Sequence, residues 1–150
     1  MDLYEELRRI VQALNSHEIR YAVVGGLAVS IYATPRATED VDLLIANADI
    51  DAAVSALSGI GFRLAGRPME VARGRLRIQR LIKTAGTDLV PVDLLLPQDA
   101  ELAQLLNDAS VVDWRGQPAS VITVAGLRAL KRLRGSTQDR ADLEALGPET

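Results

Sequence analysis

Asp40 and Asp42 stand two residues apart at the head of the apolar run Val41-Asp42-Leu43-Leu44-Ile45. A third aspartate, Asp93, is embedded in Val92-Asp93-Leu94-Leu95-Leu96. In an extended strand, residues two apart project from one face about 7 Å from each other, so the first two carboxylates can share an ion. An acid inside a strand as apolar as the one around Asp93 is costly to bury unless it is paired or coordinates a metal. If the two strands are neighbours, three carboxylates converge, and like charges at that range either bind cations or raise their pKa values. Mg²⁺ is the expected cation, with Mn²⁺ as its substitute. Either takes a few carboxylate oxygens and completes its shell with water and substrate phosphates.

Upstream of these acids, Tyr21-Ala22-Val23-Val24 is a short apolar run closed by Gly25-Gly26. A glycine pair between a strand and a helix leaves backbone N–H groups at a helix start, where a phosphate can dock at close range. The pair alone is weak, because most such pairs are turns. The order strand, Gly-Gly, short helix, Arg36-Ala37-Thr38-Glu39-Asp40-Val41-Asp42-Leu43, then a lone strand aspartate supplies a phosphate cradle and metal ligands in one chain.

The elements that must carry these residues read as follows. Leu3, Leu7, Ile10, Val11 and Leu14 fall on one helical stripe, which predicts an amphipathic helix over about sixteen residues. The run 21–24 is a strand, and residues 27–32 form a short helix stopped ahead of Pro35. Residues 41–45 form a second strand, followed by a helix through Val54 and Leu57 that Gly59 and Gly61 end. Residues 75–84 suit a half-buried strand, and 89–96 a further one, with Pro91 near its start where the missing N–H costs least. A helix from Asp99 to Leu106 precedes a strand pair through Val111-Val112 and Val121-Ile122, with Trp114-Arg115-Gly116 as its turn. In the tail, Leu127, Leu130 and Leu133 define one helix that Gly135 breaks, and a last helix holds Leu143 and Leu146. With no repeat, low-complexity tract or long linker, the expectation is one α/β domain over residues 1–150, its helical segment at about 124–147 packed upon it.

Composition sets the outer limits. The chain has 150 residues, 48% hydrophobic and 25% charged, which is ordinary for a globular domain able to bury its own core. Without cysteine, thiolate zinc sites and cysteine nucleophiles are excluded, so catalysis must run on carboxylates. His17 is the lone histidine and reads as a surface or capping residue; Trp114 reads as a packing or turn anchor. No apolar run is long enough to span a bilayer and the start is acidic, so the cytoplasm is the expected location, with no membrane partner. Net charge is −3 but unevenly spread. Arg63, Arg67, Arg73, Arg75, Arg77, Arg80 and Lys83 are opposed locally only by Glu70, and read equally as a solvated strand face or as a surface for phosphates.

The motifs around Val24-Gly25-Gly26-Leu27-Ala28-Val29, Pro35 to Ile45, Val92-Asp93-Leu94 and the tail from Leu127 to Leu143 resemble the nucleotidyltransferase superfamily that includes DNA polymerase beta, and within it the small bacterial abortive-infection toxin branch. The resemblance implies a mixed central β-sheet flanked by helices and transfer of a nucleotidyl group from a nucleoside triphosphate to an acceptor hydroxyl. The acceptor would be a tRNA end, a protein or a small molecule such as an aminoglycoside. It implies Asp40 and Asp42 as metal ligands, Asp93 as metal ligand or general base, and Gly25 and Gly26 as contacts to the triphosphate. Arg36 and Thr38, just ahead of the acids, read as further phosphate contacts, with Arg36 equally able to brace the loop against Glu39. Ala129-Leu130-Lys131-Arg132 is similar to that branch's lysine helix, which brings Lys131 to a phosphate. Leu27 stands where many active members have serine, and Gln138 where the branch has lysine. The alternative is a weak or inactive nucleotide-binding module, or one component of a toxin–antitoxin pair acting with a cognate partner.

Overall fold

The computed structural model describes residues 2–32 and 40–134. Helix α1 (Leu3–Ser16) is capped by Asp2, whose carboxylate accepts from the N–H groups of Tyr4 and Glu5, and it buries the predicted face Leu7, Ile10, Val11 and Leu14. His17 closes it, its Nδ1 2.8 Å from the Ala13 carbonyl. Strand β1 (Ala22–Val24) runs directly into α2 (Gly25–Tyr32), so the glycine pair forms the first turn of that helix rather than a loop ahead of it. Strand β2 (Val41–Leu44) and helix α3 (Ile50–Ser58) follow.

Two short strands absent from the sequence reading come next, β3 (Arg63–Leu64) and β4 (Met69–Val71). They are exposed and lack an alternating apolar face, which is why hydrophobic periodicity did not reveal them. Strands β5 (Leu76–Ala85) and β6 (Asp88–Pro97) form a long antiparallel hairpin about a two-residue turn. Helix α4 (Ala100–Asn107) begins at Asp99, whose side chain accepts from the Leu102 N–H. Strands β7 (Ser110–Trp114) and β8 (Gln117–Val121) pair across Arg115-Gly116, both at positive φ, the conformation that matches a two-residue turn to strand twist. Helix α5 (Val124–Arg134) ends the described chain. The expected last helix around Leu143 and Leu146 lies outside the described residues.

All eight strands join one mixed sheet in the order β3-β5-β6-β2-β1-β8-β7, with β4 paired to β5. Strand β2 runs parallel to β6 and antiparallel to β1, while β1 runs parallel to β8. The central strands are apolar nearly throughout, with Val41, Leu43, Leu44, Val92 and Leu94 fully buried, as expected of strands covered on both faces. The architecture is the mixed sheet with flanking helices that the sequence led us to expect.

Candidate active site

Because β1 and β2 are antiparallel, the exit of β1 lies beside the entry of β2, and Val24 is the register partner of Asp42. Because β2 and β6 are parallel, Asp42 is in turn the register partner of Asp93. The hairpin then sets Arg80 opposite Asp93. One row across four strands therefore reads Val24, Asp42, Asp93, Arg80, with the start of α2 immediately after Val24 and Asp40 just ahead of β2. Neighbouring strands lie about 4.8 Å apart, so Asp42 and Asp93 stand one strand spacing from each other, and Asp93 one from Arg80.

Gly25 sits in that row for a reason that only glycine meets. Its φ is +68°, a region costly for L side chains, and a Cβ built on it would overlap Asp42 Oδ2 and come within 3.0 Å of the Asp42 Cβ. The missing side chain is the space the Asp42 carboxylate uses. Gly26 is buried in the same turn. Leu27 points into the core and is 1% exposed, so position 27 contributes packing and not a phosphate contact. Ser30, one turn on, donates its hydroxyl to the Gly26 carbonyl at 3.1 Å.

Asp93 is 9% exposed and its charge is answered. Arg80 donates Nε to Oδ1 at 2.8 Å and Nη2 to Oδ2 at 3.0 Å, a bidentate fork. The same Nη2 lies 3.6 Å from Asp40 Oδ2, so one guanidinium bridges two of the three predicted acids. These hydrogen bonds to Asp93, with the charges of Asp93, Asp40 and Asp42, hold the Arg80 pKa above its already high ordinary value. Arg80 was visible in the sequence only as a member of a basic run.

The donor set is all oxygen, which suits a hard divalent cation. Gly25 leaves room beside Asp42, and Asp40 is half exposed to an incoming ligand. As the chain stands, no group of three or more acid or histidine side chains among the described residues is arranged to hold a metal ion. Both Asp93 oxygens are engaged by Arg80.

The remaining predicted residues divide. Lys131 lies on α5, which packs against α2, and is 3% exposed; Arg128, one turn earlier and not singled out in the sequence, is buried as well. Cations buried to that degree must be held by partners within the fold. Arg36 and Thr38 lie outside the described residues. Four members of the basic run are committed to acids: Arg75 pairs with Asp99 and Glu101, Arg77 with Glu70, Arg80 with Asp93 and Asp40, and Lys83 with Glu6. The acids that answer these charges are mostly remote in sequence.

No family model matches the sequence, and no curated protein matches it. Among solved structures, the antibiotic-resistance factor ANT(2'')-Ia in complex with adenylyl-2''-tobramycin is similar at a TM-score of 0.64 and 14% identity, the match covering 95% of this chain and 86% of that one. The lincosamide antibiotic adenylyltransferase LnuA, with lincomycin bound, matches at a TM-score of 0.64 and 14% identity over 97% of each chain. A candidate nucleotidyltransferase from Thermotoga maritima matches at 0.66 and 13% identity, over 94% of this chain and 89% of the other. At such identities the likeness is one of fold, and the chain has the fold of these nucleotidyltransferases.

Proposed function

We propose that the chain transfers a nucleotidyl group from a nucleoside triphosphate to an acceptor hydroxyl, with Asp40, Asp42 and Asp93 as its acidic centre. The observation that carries this reading is the register of Asp42 with Asp93 beside the bare α-carbon of Gly25. In the reaction the acceptor oxygen attacks the α-phosphorus, the bond from that phosphorus to the bridging oxygen of the β-phosphate breaks, and pyrophosphate leaves. The hydroxyl proton passes to a carboxylate. Asp93 is placed to accept that proton or to serve as a metal ligand, since a carboxylate offers about four lone-pair positions and Arg80 takes two of them in the nucleotide-free chain. The N–H groups of the first turn of α2 receive a phosphate, and Lys131 on the adjacent α5 adds positive charge. Arg36 and Thr38 are assigned to the same phosphates from their place in the sequence just ahead of Asp40.

Asp40 and Asp42 are the residues that would hold Mg²⁺ or Mn²⁺, with Asp93 as a third donor. Such ions neutralise the attacking and leaving oxygens when bound. A small hydroxylated molecule is the favoured acceptor, supported by neighbours whose names include an adenylylated aminoglycoside and a lincosamide. The pairing of Arg75, Arg77, Arg80 and Lys83 with acids weakens the case for a tRNA acceptor. The toxin–antitoxin assignment rests on sequence resemblance alone. No helix among the described residues is long and apolar enough to cross a membrane, and a cytoplasmic site of action is part of the proposal.

The second reading, a nucleotide-binding module with little turnover, is favoured by the buried Leu27 and by the commitment of Asp93 to Arg80. Pyrophosphate release separates the two. Wild-type protein with Mg²⁺ and each nucleoside triphosphate is screened against aminoglycosides, lincosamides, tRNA and protein acceptors. Acceptor-dependent release supports the transferase, and triphosphate binding without release against any acceptor supports the module.

A further inference from the structure

Arg80 presents an arrangement that the acidic centre alone does not require. Its fork takes both oxygens of Asp93, and its Nη2 reaches Asp40, so a fixed unit charge lies between two of the acids. Guanidinium does not lose its proton at any physiological pH, so this charge cannot be removed by titration. It can be removed only by motion. The Arg80 side chain is 46% exposed, whereas the Asp93 side chain is 12% exposed; the arginine can swing outward and the aspartate cannot follow.

We propose that Arg80 is a built-in counter-cation that keeps a divalent ion off Asp93 until a triphosphate arrives, so that metal loading of this site is gated by nucleotide. The proposal rests on the reading of the carboxylates as metal ligands. A divalent ion approaching the nucleotide-free chain meets an arginine already bonded to one ligand and close to another, and like charges at that range repel. A triphosphate changes the balance. It brings several negative charges, offers the guanidinium phosphate oxygens of matching bidentate geometry, and releases Asp93 to the ion. An arginine serving only as a brace would hold Asp93 equally in both states and would give no such dependence on nucleotide.

The test measures Mn²⁺ binding from the loss of the free-ion electron paramagnetic resonance signal, for wild type, Arg80→Gln and Arg80→Lys. Each is measured alone and with a non-hydrolysable triphosphate analogue, against a protein-free blank of Mn²⁺ with the analogue, so that only the protein-dependent loss of signal is counted. Without nucleotide, Arg80→Gln should bind Mn²⁺ about tenfold tighter than wild type or more, Arg80→Lys should stay near wild type because it keeps the charge, and the gap should close when the analogue is present. Equal or weaker Mn²⁺ binding by Arg80→Gln overturns the gate while leaving the acidic centre as a metal site. Absence of Mn²⁺ binding in all three proteins under both conditions overturns the gate and the metal assignment together. Should Arg80→Gln fail to fold, the wild-type Arg80 Nε–H resonance decides: it should shift on addition of Mg²⁺ with the analogue, and an unmoved resonance at saturation overturns the gate.

Discussion

The Asp42 carboxylate occupies the volume that a side chain on Gly25 would need, with Asp42 Oδ2 facing the glycine α-carbon across the β1–β2 pair. A strand aspartate and a helix-start glycine are thus one device, in which the absent Cβ admits the charge. Gly25→Ala should cost about 1 to 2 kcal/mol from its positive φ alone, with displacement of Asp42 in addition. Urea unfolding measures the first effect. Loss of metal-dependent triphosphate binding in the folded fraction measures the second.

Asp42→Asn should leave the fold intact and remove the thermal stabilisation given by Mg²⁺ or Mn²⁺ with triphosphate. Ligand at a hundred times its Kd stabilises a protein by about 2.7 kcal/mol, so the wild-type shift should be plain in a melting experiment. A variant that keeps the whole shift shows that Asp42 is not a ligand.

Asp93→Asn separates chemistry from binding. If, as proposed, the glycine turn and the first two acids hold the nucleotide, triphosphate affinity should stay within about tenfold, roughly 1.4 kcal/mol, while transfer falls by about two orders of magnitude or more. Binding by calorimetry and turnover by pyrophosphate release, on one preparation, give both values. Equal loss of both would make Asp93 a binding residue only.

Three residues beyond Arg80 on β5, Lys83 donates Nζ at 3.0 and 3.2 Å to Glu6, which is buried in α1 and also accepts from Arg9 at 3.1 Å. Lys83 also lies over the Phe62 ring at 5.8 Å. Lys83→Met should destabilise by about 3 kcal/mol, the low end for removing one partner of a buried pair, because Arg9 remains. The double variant Glu6→Leu, Lys83→Met should recover most of that loss in urea unfolding.

Acid stability should depend on Asp99. Its carboxyl is held below the usual range, first by the Arg75 hydrogen bond and then by the Leu102 N–H. A depressed folded-state value means that this contribution is complete above the unfolded value of about 3.9 and is lost as pH falls toward the folded one. Melting temperature should therefore fall more steeply below about pH 4 in wild type than in Asp99→Asn. Parallel curves for the two proteins would show that the cap pair does not contribute.

Much of this site could be read in the sequence because its parts are local. Asp40 and Asp42 announce themselves by two-residue spacing, Asp93 by its cost in an apolar strand, and Gly25 by its place between a strand and a helix. Their convergence needed only that β2 and β6 be neighbours, which their uniformly apolar character favours. The Arg80–Asp93 fork escaped because it depends on hairpin register. Once the turn after Ala85 is known, counting five residues back from Ala85 and five on from Asp88 brings the two together. Turn position was the missing signal; Gly86, at the hairpin tip with a φ of +61°, marks it. Strands β3 and β4 were hidden for a different reason: residues as exposed as Leu64 and Met69 leave no inside–outside pattern.

The central claim is that a nucleotidyl group moves from triphosphate to an acceptor through the row joining Asp42, Asp93 and Gly25. It is tested most directly by incubating wild-type protein and Asp42→Asn with Mg²⁺, cell lysate and nucleoside triphosphates labelled in parallel at the α- and γ-phosphates. The account predicts α-label covalently retained on an acceptor with wild type, no γ-label retained, and neither with Asp42→Asn. Retention of the γ-label, equal α-labelling by both proteins, or no labelled acceptor with wild type for any nucleotide would contradict it.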